Sequence, residues 1–170
     1  MENDRTKGLM LALATFVMWG VFPIYFKLIR GVDAVQILAH RVVWSFLLLL
    51  IFLCFTHRLK NVARLLSTPK IALTLLCTGL LISTNWGIYI YAVNSDQILA
   101  TSLGYFINPL FSVLLGALFL RERLSTAAKL SLLLAFAAIG VQIYALGRLP
   151  IISLVLPLSF AFYGLIRKKV

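Results

Sequence analysis

Acidic side chains are scarce in this sequence. Five Asp and Glu stand against sixteen Lys and Arg among 170 residues, a formal net charge of +11. Asp33, Asp96 and Glu122 fall where helices are expected to begin or end, so no clustered carboxylates are offered for paired acid–base work. Histidine is limited to His40 and His57, cysteine to Cys54 and Cys77, and no metal-ligand spacing is present. The sequence has no Walker A loop, dinucleotide fingerprint or nucleophile elbow. These absences argue against an enzyme, a cofactor and a metal. Also missing is a polar domain: the one sizeable polar loop is about Thr56–Lys70. Without folded polar surface to hold a duplex, the positive charge is not read as nucleic-acid binding.

What fills the chain instead is apolar. Hydrophobic residues make up 62%, and mean hydropathy is +1.01. A soluble domain of this size could not cover that much apolar surface; a bilayer removes the need. A spanning helix takes about 20 mostly apolar residues. The candidates are Gly8–Ile29, Ala34–Phe55, Ile71–Val93, Ile98–Leu120, Thr126–Leu146 and the shorter Leu149–Ile166, which contains Pro157. The expected fold is all-α: a polytopic membrane protein with six transmembrane helices. The first run is read as a retained helix, because Ala12-Leu13-Ala14 precedes the apolar stretch, whereas a signal peptide has its cleavage site after it.

Twelve of the sixteen basic residues fall at the N-terminus (Arg5, Lys7), in the second gap (Arg58, Lys60, Arg64, Lys70), in the fourth (Arg121, Arg123, Lys129) and in the tail (Arg167, Lys168, Lys169). The positive-inside rule puts these in the cytoplasm. Six spans then return both termini to that side of a bacterial inner membrane. Asp or Asn in Asn94-Ser95-Asp96-Gln97 is expected to cap the following helix, Gly147-Arg148 to stop one, and Pro150 to stand near the next start. Val62, Leu65 and Leu66 are expected on a short surface helix over anionic lipid. Cys54 and Cys77 lie near one membrane face and are read as packing residues. Gly79, Ser83 and Gly87, then Ser112 and Gly116, then Ala127, Ser131 and Ala135 are read as helix-contact faces.

Polar groups inside the apolar runs are the functional clue, because a membrane penalises them. Thr101, Tyr105, Asn108 and Ser112 form a stripe on one helix face, since their offsets fall within about 60° of one another. Asn108 either satisfies the carbonyl freed by Pro109 or faces a polar lumen. Asn85 and Tyr89 share a face beside Trp86, and Tyr91 suits an interfacial belt. Arg41 either snorkels to headgroups or forms a positive wall for an anionic or zwitterionic solute. His40 either hydrogen-bonds a neighbouring helix or couples to protons. Trp19, Pro23 and Lys27 step by four along the first span.

Several of these residues lie in motifs. Trp19-Gly20-Val21-Phe22-Pro23-Ile24-Tyr25-Phe26-Lys27 and His40-Arg41-Val42-Val43-Trp44-Ser45 are two of them. Asn85-Trp86-Gly87-Ile88-Tyr89 and Ser102-Leu103-Gly104-Tyr105-Phe106-Ile107-Asn108-Pro109-Leu110 follow in order. Together they resemble the RarD-type permeases, and Glu122-Arg123-Leu124-Ser125 resembles the wider EamA, or drug/metabolite transporter, pattern. The resemblance implies a ten-helix permease built from two inverted five-helix repeats, in a group associated with chloramphenicol sensitivity or resistance. It places Trp19, His40, Arg41, Asn85, Trp86, Tyr89, Tyr105 and Asn108 around the cavity. Residues 1–146 would be one five-helix repeat and 147–170 the first helix of a second.

Alternating access in such folds uses two repeats. The expectation is therefore a truncated product that associates with a missing second repeat. A homodimer would substitute only with its protomers in opposite orientations, which the charge bias opposes. The functional expectation is an inner-membrane permease, or part of one, for a small organic metabolite or drug. The partners are the lipid bilayer and the solute, with proton coupling through His40 as an option. The alternative is a non-transporting membrane protein that modulates a partner through helix contacts, or an inactive fragment.

Overall fold

A computed structural model describes residues 2–121, 124–147 and 150–168. Among these, seven helices and no strand are found: α1 (Glu2–Leu28), α2 (Ala34–Phe55), α3 (Leu59–Leu66), α4 (Pro69–Asn94), α5 (Ile98–Leu120), α6 (Thr126–Leu146) and α7 (Ile151–Arg167). Five of them, α1, α2, α4, α5 and α6, are long and apolar enough to cross a membrane. The sixth expected span is α7, which has 17 residues with Pro157 inside. The amphipathic segment of the basic loop is helical, as α3. It turns Leu59, Val62 and Leu66 to one side and Lys60, Asn61 and Arg64 to the other, and it rests on α4.

Local chemistry sets the boundaries. The Asp33 carboxylate accepts from the Val35 amide at 2.8 Å and starts α2. Ser125 does the same for α6 through Ala128 at 3.2 Å. Pro69 opens α4, where its missing N–H costs nothing. Gly147 ends α6 in the left-handed region, at φ 62°. The Pro150 carbonyl accepts from Leu154 at the start of α7. The turn before α5 departs from expectation. Gln97 holds the N-cap position without a side-chain cap bond. Asp96 is turned into the left-handed region, at φ 60°, and its carboxylate pairs with Lys27 of α1 instead. An ammonium at the end of α1 outcompetes the neutral amides of its own turn for the charge. Arg123 and Lys169, which entered the charge count, lie outside the described residues, as do Arg148 of the expected helix stop and the Glu122-Arg123 part of the EamA-like motif.

Packing gathers on α4, which touches α1, α2, α3, α5 and α7, while α5 lies along α7. The core joins Phe26, Ile37, Tyr89, Ile90, Val93 and Leu156. It therefore sits where the last turns of α1 and α4 meet the first turns of α2, α5 and α7. Elsewhere α1 and α2 present their leucines and phenylalanines outward, as lipid permits, since hydrocarbon solvates them as well as a protein interior does.

The small-residue ladders are corrected in part. Gly87 packs on Leu38, and Gly116 is buried. A Cβ on Gly79 would meet nothing within 4 Å, and Ala127, Ser131 and Ser112 are exposed. The close approach is made by Gly104, which stands four residues after Ala100 but is not among the ladders read from the sequence. A Cβ there would stand 3.3 Å from the Ser153 carbonyl oxygen and 3.4 Å from Leu156 Cβ and Pro157 Cδ. Pro157 removes the helical donor of that same carbonyl, and the missing side chain of Gly104 lets the freed group lie against α5. Ser153 fastens the seam by donating to the Ala100 carbonyl at 2.9 Å. A small residue matters only where a neighbouring backbone comes close, which four-residue spacing does not report.

Candidate functional site

At the packed end of the bundle, polar and aromatic side chains from five helices meet. Asn85, on α4, is 1% exposed. Its amide nitrogen donates to the Leu156 carbonyl at 2.8 Å and to Ser159 Oγ at 2.9 Å, both on α7. Ser159 can accept because its own proton goes back to the Val155 carbonyl at 2.8 Å. The Tyr105 hydroxyl, on α5, donates to Asn85 Oδ1 at 3.3 Å. One asparagine thus ties three helices, the economical way to place an amide in lipid.

Four residues along α4, Tyr89 meets Tyr105, Trp86 and Phe26 edge to face, with centroids 5.6–6.0 Å apart. Arg41 of α2 lies over this wall. Its guanidinium carbon is 3.9 Å from the Trp86 ring centroid and 5.6 Å from that of Phe26. Contact this close to indole is a favourable cation–π geometry. Arg41 Nη1 is buried and has no hydrogen-bond partner.

The proposed residues divide accordingly. Arg41, Asn85, Trp86, Tyr89 and Tyr105 come together. Thr101 is buried, but its hydroxyl donates to the Ile98 carbonyl of its own helix at 2.7 Å. Asn108 is half-buried, with Oδ1 enclosed and unpartnered. Ser112, at the far end of the stripe, is exposed, as are His40 and Trp19, whose ring meets that of Phe16. Spacing can put residues on one helix face, but a neighbour covers only part of that face's length.

Sequence reading passed over Phe26, Ser153 and Ser159 as site-builders, and Gln142 of α6, whose Oε1 is also enclosed without a partner. The two serines were open to the rule already applied to α5, that polar groups within apolar runs are informative. Beyond the spans, Lys27 beside Asp96 holds its carboxyl below the usual carboxylate range, first by hydrogen bonding and then by charge. Among the described residues, no three His, Cys, Asp or Glu side chains group as a metal site, and Cys54 and Cys77 are free.

A model of the EamA-like transporter family matches residues 6–144. The chain belongs to that family. Within it, the sequence is 48% identical to the protein RarD of Salmonella typhi, over 100% of this chain and 58% of the relative. It is 45% identical to an uncharacterized transporter of Vibrio cholerae, over 99% of this chain and 56% of the relative. It is 30% identical to a chloramphenicol-sensitive protein RarD of Pseudomonas aeruginosa, over 96% and 56%. The chain thus spans less than three fifths of the length of these relatives. No solved structure matches it. Family and helices together identify a RarD-type, multi-pass protein of a bacterial inner membrane, and the family's members are transporters.

Proposed function

We propose that this EamA-family chain works as an inner-membrane permease, or as part of one, for a small organic solute. Arg41, Asn85, Trp86, Tyr89 and Tyr105 form one end of the solute path, and Asn108 lines its continuation along α5. The observation that supports this best is the company Arg41 keeps. A cation two turns inside a span is costly, and here it is turned onto aromatic faces at the meeting point of the helices. A residue serving only as an interfacial anchor has no use for that position. Residues 1–146 act as one helical repeat, and α7 supplies the helix against which α4 and α5 close. The N-terminus and α3 face the cytoplasm, by the distribution of Lys and Arg, which puts the aromatic cluster toward the outer side. Coupling to protons through His40, exposed beside Arg41, belongs to the same reading.

Flux into proteoliposomes from a panel of small organic solutes, with and without a pH gradient, tests the proposal. Saturable uptake of at least one solute is expected, abolished by Asn108→Leu while the protein still inserts. Absence of uptake for every solute, together with tight retention of a protein partner, would favour the non-transporting alternative.

A further inference from the structure

The buried Nη1 of Arg41 needs an acceptor, and it has none among the described residues. Its five carboxylates are Glu2, Asp4, Asp33, Asp96 and Glu122. Glu2 and Asp4 stand at the other end of α1, about 35 Å along the helix from Phe26. Asp33 is engaged with the Val35 amide at the start of α2, about 12 Å along the helix from Arg41. Asp96 is paired with Lys27. Glu122 lies outside the described residues, beyond the far end of α5 in sequence. The polar groups of the cluster are neutral: the Asn85 amide is bonded to α7, and the Tyr105 hydroxyl donates to Asn85, so neither brings a counter-charge to Arg41. A guanidinium with an enclosed N–H and no counter-charge is an unfinished site.

We infer that Arg41 completes its shell with the carboxylate of the carried solute, so that the substrate is a monoanion with a flat apolar body. The charge follows from arithmetic: one cation faces the site, so one negative charge neutralises it, whereas a phosphate dianion leaves an excess charge in a poorly solvating place. The carboxylate follows from the fork of the guanidinium, whose N–H groups match two oxygens. The flat body follows from the walls, since Trp86 carries the guanidinium on its half-buried ring and Tyr105, also half-buried, is joined to it through the buried Tyr89. This inference rests on the permease reading for its meaning as a substrate, while the binding site itself can be tested alone.

The test uses the full chain in phosphatidylcholine nanodiscs, with Trp19→Phe and Trp44→Phe leaving Trp86 as the only tryptophan. Its emission is followed during titration with benzoate and, separately, with the neutral benzamide. Benzoate is expected to bind saturably and benzamide much more weakly. Arg41→Gln is expected to weaken benzoate about tenfold or more, the scale of a lost charged hydrogen bond, and Arg41→Lys to fall between. If Arg41→Gln fails to fold, the benzoate and benzamide comparison on the native arginine and the Arg41→Lys shift decide alone. Equal binding of the two probes overturns the inference, as does benzoate binding unchanged by removal of the charge. Loss of the benzoate signal when phosphatidylglycerol is added also overturns it, because a lipid phosphate is then the occupant. The two readings fail separately. Arg41-dependent benzoate binding without flux of any solute sinks the permease and leaves the site. Flux of neutral solutes that ignores Arg41→Gln sinks the site and leaves the permease.

Discussion

Asn85 shows how much one side chain can settle inside lipid. It bonds Leu156, Ser159 and Tyr105 at once. Asn85→Leu keeps the branched shape, adds some bulk and removes all three bonds. It is expected to cost about 1 kcal/mol, the scale measured for polar contacts between membrane helices, seen as earlier unfolding in micelles. Unaltered stability would mean that the bonds are incidental. The Lys27–Asp96 pair belongs to the same scale but to the aqueous edge. The Asp96 carboxyl titrates below its usual range, so the stabilisation from this pair is present above the unfolded value of about 4. It is lost as pH falls through the lower folded value. A melting curve taken against pH should show an acid limb that Asp96→Asn removes.

At the scale of elements, the seam between α5 and α7 is the tightest contact. Gly104 faces a backbone carbonyl and a proline ring there, neither of which can swing aside. Gly104→Ala is expected to lower stability slightly, and Gly104→Leu to cost about 1–3 kcal/mol through overpacking. The comparison is Gly79→Leu, which has open space around it and should be close to neutral. Equal effects at the two positions would contradict the packing described.

The helices themselves were legible in the sequence, because an apolar run of spanning length can hardly be anything else. Ala34–Phe55, Ile98–Leu120 and Thr126–Leu146 have the expected ends to the residue. Which face of each helix meets a neighbour was much less legible. The α5 stripe has one chemistry throughout, yet Thr101 is buried and Ser112 exposed. Only the placement of α7, a long-range matter, decides between them. The same reason hid Gly104, whose four-residue spacing from Ala100 looks like any other until Pro157 is seen across from it.

For the whole molecule, the account joins three things: a helical membrane protein, a packed end where five helices meet, and an aromatic site with one uncompensated cation. Orientation belongs to this scale. A reporter fused within α3 should be read from the cytoplasm, and one fused at Asp96 from the outside; the opposite pattern would reverse the direction assigned to the site.

The central claim is that the cluster is a solute path and not merely a dry core, and water access decides between the two. Cys54 and Cys77, both free, are replaced by serine. Tyr105→Cys and Phe106→Cys are then each exposed to a membrane-impermeant maleimide in intact cells. Phe106 is 78% exposed on the helix, but to lipid, where a thiol does not ionise. The account predicts labelling at position 105 and none at 106. Silence at both positions, or labelling at 106 alone, would contradict it.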